Sequence, residues 1–265
     1  MPVILVTNDD GIHSEGIIAL YNVFREIGKV YVAAPDREQS AVGHALTLHR
    51  PLRVEEIEEY IYSVNGTPTD CVTIAVNKLL PVRPDLIVSG INRGGNLGDD
   101  VTYSGTVSAA IEGTLLGIPS LAISIVTEME NGKWKAEGLH FTDAAQFAGM
   151  LGKDVLDKGL PSDTLLNVNV PNKGANEIKG IKFTRQGKRT YDNSIKEMYD
   201  PRGRKHYWIG GGNPLWEQGE DTDFKAIQDG FISVTPIHLD LTNYDSLNLL
   251  KKDWLKKDWL RKDWL

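Results

Sequence analysis

The sequence predicts an α/β fold built on a doubly wound, mostly parallel sheet. The first reason is a set of short, unbroken apolar runs: Val3-Ile4-Leu5-Val6, Lys29 to Ala34 (KVYVAA), Leu86-Ile87-Val88, Leu121-Ala122-Ile123 and Leu165 to Val170 (LLNVNV). Such runs mark strands buried on both faces. The second is that segments of helical spacing separate these runs, an order that implies right-handed crossovers and helices on both sides of the sheet. The third is size, because 265 residues bury a full core without help from disulfides.

After the first run, Ile17, Leu20, Tyr21, Phe24 and Ile27 recur at helical spacing and Gly28 stops them. Pro35 ends the second strand. Thr67-Pro68-Thr69-Asp70 reads as an N-cap, a proline at the first helical position and a carboxylate three residues after the cap, leading into a helix from Cys71 to Leu80. Val107 to Leu116 makes another helix, stopped by Gly117 and Pro119, and Thr142 is placed to cap one running to Lys158. The sheet is expected to extend to about Pro171, which divides the chain into a core over 1–171 and an extension over 172–265. Residues 172 to 230 are rich in Gly, Lys, Arg and Asp with scattered aromatics, as in Tyr207-Trp208-Ile209-Gly210-Gly211-Gly212, a pattern of hairpins and long loops. Phe231 to Ile237 (FISVTPI) alternates as a strand, and Pro236 favours an edge position. The chain ends in KKDWL, KKDWL, RKDWL from Lys251 to Leu265. A five-residue period advances about 140° per repeat on a helix, so Trp254, Trp259 and Trp264 scatter around the axis. The tail reads as a duplicated terminal turn, or else as a basic-aromatic anchor for a membrane or partner.

Composition narrows the functions. With 29 Lys and Arg against 36 Asp and Glu the net charge is −7, so no basic surface that tracks a nucleic-acid polymer is expected. The single Cys71 forms no internal disulfide and lacks the companions of a zinc-thiolate site. A reducing, cytoplasmic setting follows as the expectation. The apolar run Val3 to Val6 is cut off by Asn8, Asp9 and Asp10, and nothing approaches the roughly 20 apolar residues of a membrane span.

Three loops carry the chemistry. Thr7-Asn8-Asp9-Asp10-Gly11 puts adjacent carboxylates just past the first buried strand, where ligands bind in open parallel sheets. Neighbouring carboxylates repel and raise each other's proton affinity unless a cation compensates them, and a hard divalent ion such as Mg²⁺ or Mn²⁺ does so. The competing reading is an Asx turn in which Asp10 caps the helix that starts near Ser14. Asp36-Arg37-Glu38-Gln39-Ser40 follows the second strand, again at a carboxyl end, and offers a hydroxyl to an oxygen-rich shell. His44, in the glycine-containing loop beyond it, reads as a surface or internally satisfied histidine. Ser89 to Gly98 (SGINRGGNLG), followed by Tyr103-Ser104-Gly105-Thr106 at a helix start, offers hydroxyls and free N–H groups at a positive helix end, an oxyanion or phosphate seat. It is neither a Walker A loop nor a dinucleotide fingerprint. Asn65 to Asp70 forms a fourth such loop, for which helix capping is explanation enough.

These motifs resemble one family: the SurE, or stationary-phase survival, nucleotidases. The resembling stretches are ILVTNDDGIHSEGI (Ile4 to Ile17), VAAPDREQSAVGHALT (Val32 to Thr47), NGTPTDCV (Asn65 to Val72) and PDLIVSGINRGGNLGDDVTYSGTVSAAIEG (Pro84 to Gly113), with YWIGGG and SVTPIHLDLT further on. The resemblance implies a metal-dependent phosphomonoesterase that hydrolyses nucleoside 5′- and 3′-monophosphates, extending to short polyphosphate. Its implied metal ligands are Asp9, Asp10, Ser40 and Asn92, holding one Mg²⁺ or Mn²⁺, with Asp9 and Asp10 also catalytic. Its implied phosphate contacts are Asn96, Ser104, Gly105 and Thr106, with Gly43 beside them. A Rossmann-like core and a C-terminal extension exchanged between subunits of a homodimer or homotetramer also follow from it. The extra KKDWL copies depart from the family, whose chains are expected to stop near the first.

Two other classes fit acidic residues at strand ends: a receiver-like, Mg²⁺-binding regulatory module, and a nucleotide-binding protein without catalysis. Some 90 residues beyond the core exceed what a receiver needs.

Overall fold

The structure, a computed structural model, describes residues 1–254 apart from 128, 131–132, 135–137, 191–194, 210–214 and 218. Its centre is six parallel strands: β1 (Val3–Thr7), β2 (Lys29–Pro35), β4 (Ile61–Val64), β5 (Leu86–Arg93), β6 (Ser120–Val126) and β7 (Thr164–Pro171), in spatial order β4-β2-β1-β5-β6-β7. The order reverses between β1 and β5, the switch point at which a doubly wound sheet opens a crevice at its carboxyl edge. The strands are apolar throughout because both faces are covered. Ile4, Val6, Val32, Leu86 and Val88 face one way, toward α1 (Glu15–Phe24) and α4 (Phe141–Lys158). Leu5, Tyr31, Ala33 and Ile87 face the other, toward α2 (Pro68–Ile74) and α3 (Gly105–Leu115).

Local signals account for the helix starts. Ser14 caps α1 by accepting from the Ile17 N–H. Thr67 and Asp70 form a reciprocal capping box with Pro68 at the first position, and α2 continues as a wider π-helical turn over Ala75–Leu79. Helix α3 begins two residues before the expected Val107, because Ser104 accepts from the Val107 N–H at 3.1 Å. Thr142 does not cap α4. That helix begins at Phe141 with His140 at the cap position, so Thr142 falls inside the first turn.

The sheet does not stop near Pro171, as the sequence led us to expect. Strand β11 (Ile232–His238) runs antiparallel along β7, and β8 (Ile181–Phe183) adds parallel to β11, which covers an edge that β7 would otherwise expose. Pro236 sits where β11 has a neighbour on one side only, since β8 pairs with Ile232 to Val234 alone. The opposite edge holds an unforeseen hairpin, β3 (Val54–Glu58) with β4. Beyond β8, an antiparallel ribbon of β9 (Ile195–Tyr199) and β10 (Lys205–Ile209) stands apart from the main sheet. Short α5 (Asp223–Gln228) precedes β11, and α6 (Tyr244–Asp253) takes in the start of the first KKDWL. The other repeats, and the Gly210 to Gly212 run, lie outside the described residues. No helix among the described residues is long and apolar enough to cross a membrane.

Candidate active site at the switch point of the sheet

The loop after β1 is folded by Asn8, not by the carboxylates. The Asn8 side chain accepts from the Gly11 N–H at 3.2 Å and donates to the Gly11 carbonyl at 3.0 Å and to Ser14 Oγ at 2.7 Å. With Asn8 making the turn and Ser14 the cap, Asp10 has neither task. That removes the reading of Asp10 as the cap of α1, while the turn itself is made by Asn8.

Asp9 is 4% exposed and rests on the first turn of α3. The Thr106 hydroxyl donates to its Oδ1, and a Cβ placed on Gly105 would fall 2.7 Å from the Asp9 Cβ. The Asp9 carboxyl is pushed up to about 6, chiefly by burial, with the neighbouring Asp10 charge adding to it and Thr106 opposing. Asp10 is raised as well, again first by burial; its Oδ2 accepts from the Arg93 N–H at 3.3 Å and Arg93 pulls the other way, while Glu38 adds like charge.

The second loop leans on the first. The Gln39 N–H donates to the Asp9 carbonyl at 2.8 Å, which brings Ser40 alongside; its hydroxyl donates to Glu38 Oε1 at 2.6 Å. Gly43, with φ +62°, donates its N–H to the Tyr103 carbonyl at 3.2 Å, next to Ser104. His44 is held by Glu112 of α3 at 2.9 Å, and Thr73 donates to the other oxygen of that carboxylate, so this loop is pinned to both helices of its face. The Glu112 carboxyl is lowered first by its bond to His44.

From the third loop, the Asn92 amide nitrogen is taken by the Gly94 carbonyl at 2.8 Å, leaving its amide oxygen as the acceptor. Asn96 is tied inward: its side chain donates to Ser124 Oγ at 2.7 Å, its N–H to Asn169, and its carbonyl accepts from Asn167 and Asn169. Ser104 and Thr106 are buried in the first turn of α3. Sequence reasoning passed over Glu38 and Glu112, while His44, read as a surface or internally satisfied histidine, is satisfied by Glu112. Glu38 was readable as a third carboxylate at a strand end, whereas Glu112 lies 68 positions from its partner with no local mark.

The donors assembled here are carboxylate, hydroxyl and amide oxygens, a hard set that suits Mg²⁺ or Mn²⁺. The raised Asp9 supports that fit, because an uncompensated buried carboxylate is what a cation would relieve. Among the described residues no group of three or more His, Cys, Asp or Glu is arranged to hold a metal, so a cation here would rest on two carboxylates completed by hydroxyl and amide oxygens.

A carboxyl that rises from its ordinary value to about 6 on folding loses stability as pH climbs between the two and stays destabilising above. For Asp9 this amounts to about 3 kcal/mol at most. In chelator, Asp9→Asn should therefore melt above the wild type at pH 7.5 and level with it at pH 4, and Mn²⁺ should raise the wild type alone. A melting difference that does not change with pH would remove this account of Asp9.

The strand order defines a Rossmann-ordered α/β protein with its oxygen-rich candidate site at the switch point. The family model for survival protein SurE matches residues 4–193. This chain belongs to the SurE family. It is 58% identical over 248 residues to the 5′-nucleotidase SurE of Geobacter sulfurreducens, covering 94% of this chain and 92% of that protein. The 5′-nucleotidase SurE of Pelobacter propionicus is 56% identical over 247 residues, covering 93% and 97%. The crystal structure of the SurE protein from Aquifex aeolicus superposes with a TM-score of 0.83 at 47% identity, covering 94% of this chain and 98% of that one.

Proposed function

We propose that this protein is a metal-dependent phosphomonoesterase that releases phosphate from nucleoside 5′- and 3′-monophosphates and from short polyphosphate. The observation that carries the reading is Asp9 seated on the N-terminal turn of α3 with Asp10 beside it, at the switch point of the sheet. Asp9, Asp10, Ser40 and Asn92 would hold the cation, whose chemistry when bound is to neutralise charge on the phosphoryl oxygens. Gly105 and Thr106 bind those oxygens with the N–H groups that a first helical turn leaves over, Ser104 with its hydroxyl, since its own N–H is donated to the Val101 carbonyl, and Gly43 and Asn96 bound the seat. Phosphoryl transfer asks a protein mainly for positioning and charge neutralisation, so a rigid helix end facing two carboxylates is sufficient equipment. The buried surroundings of Asp9 and Thr106 keep bulk water from screening these contacts.

The names of the relatives support nucleotidase activity. The cytoplasm is the proposed setting, and the extension over 172–265, with its separate β9–β10 ribbon, the proposed surface of a homodimer or homotetramer. A lone two-stranded ribbon is marginal in water, and this one leaves Met198, Tyr199, Tyr207 and Trp208 exposed.

The decisive assay is phosphate release from a panel of 5′- and 3′-nucleotides with EDTA and after add-back of Mn²⁺ or Mg²⁺. Release should vanish in EDTA and return with the ion. Release that ignores the chelator would overturn metal dependence, and binding of AMP with no release at all would overturn the enzyme.

A further inference from the structure

Asp223 lies at the first position of α5, fully buried, yet it does not cap that helix; Thr222 does, accepting from the Lys225 N–H at 3.3 Å. Its carboxylate instead accepts three backbone N–H bonds: Oδ2 from Gly98 at 2.7 Å, and Oδ1 from Gly187 at 2.9 Å and from Phe224 at 2.8 Å. Gly98 opens the 3₁₀ turn Gly98–Thr102 that runs directly into Tyr103 and the Ser104 cap of α3, and its φ of +52° gives the loop a bend that few side chains tolerate. The same turn is held from the same side at three more points. Gln186 donates to the Gly98 carbonyl at 3.2 Å, the Arg189 N–H donates to Asp99 Oδ2 at 3.1 Å, and the Arg189 guanidinium pairs with Asp100. The chain thus threads its C-terminal half onto the residues just ahead of the helix end at which Asp9 sits.

We propose that Asp223 is a positioning residue for the phosphate seat: by fixing the Gly98 N–H it sets where the Gly98–Thr102 turn, and with it Ser104, Gly105 and Thr106, stand relative to Asp9. The C-terminal half is in this respect part of the active site without touching substrate. A charged acceptor suits the task because a carboxylate takes several N–H bonds at once, and each such bond to a charged group is stronger than a neutral one. An Asn at 223 keeps the size but turns one oxygen into an NH₂ group, which faces a backbone N–H as donor to donor. The proposal rests on the phosphomonoesterase reading above.

The test compares Asp223→Asn and Gln186→Ala with the wild type in Mn²⁺, reading KM and kcat for AMP, the Kd of inorganic phosphate by calorimetry, and Tm. Gln186 is an exposed side chain, so its removal leaves folding intact and keeps the test open if Asp223→Asn does not fold. Asp223→Asn should raise KM and the phosphate Kd about tenfold with kcat within about threefold, and Gln186→Ala should shift both about threefold the same way. Lys225→Ala, which removes an ammonium on the same helix that donates to Asp229 and leaves the backbone cap in place, should leave them unchanged. Phosphate Kd and KM within twofold of wild type in the variants that fold would overturn the proposal. A wild type that releases no phosphate would instead sink the phosphomonoesterase reading.

Discussion

Asp10→Asn should lower kcat/KM for nucleoside monophosphates by about three orders of magnitude, about 4 kcal/mol of transition-state stabilisation, while Tm in chelator moves by no more than about two degrees. The two halves of this expectation have separate causes. Asparagine keeps the size of the side chain and its acceptor for the Arg93 N–H, and the turn and helix cap belong to Asn8 and Ser14, so nothing structural is removed. What is lost is one of the two charges that the proposed function sets against the cation and the phosphoryl group. The apparent affinity for Mn²⁺ should fall in parallel. Steady-state kinetics with a metal titration and a melting curve check both halves, and a variant within tenfold of wild-type turnover would eliminate Asp10 from the site.

Gly105→Ala should be nearly as damaging although alanine is the better helix former. Helix propensity alone favours the substitution by up to about 1 kcal/mol. The new Cβ, however, would stand 2.7 Å from the Asp9 Cβ and 2.8 Å from its Oδ2, closer than real contacts allow. Asp9 is walled in, so the carboxylate or the helix end must shift by several tenths of an ångström. Misplacement on this scale costs up to about a hundredfold in rate, and we expect a loss of that size in kcat/KM together with a lower Tm. Activity within threefold of wild type would show that Asp9 does not rest on the α3 turn during the reaction.

Much of this fold could be read along the chain because its signals are local. Apolar runs gave the strands their burial on both faces, and the Thr67 to Asp70 box started α2 as it reads. The β3–β4 hairpin was missed because Glu55, Glu56 and Glu58 make a charged edge strand that looks like loop. The sheet was expected to end near Pro171 because β8 and β11 are separated by a long stretch rich in Gly and charge, and only their docking on β7 makes them part of it.

The candidate site divides in the same way. The carboxylates, hydroxyls and glycines of three strand ends were legible as a set, since a strand followed by a polar loop is a feature of consecutive residues. Whether each group remains available for a ligand was not. Asp10 was a possible helix cap until Ser14 took the bond, and the amide of Asn96 proves to be spent on Ser124. Gly98 is held by a carboxylate 125 positions away. Reading along the chain was enough to place candidate carboxylate, hydroxyl and amide groups at the strand ends, because residue type and spacing act over a few positions. Which donors and acceptors are already partnered became visible in the folded chain alone, because a hydrogen bond between distant segments depends on packing that no run of neighbouring residues encodes.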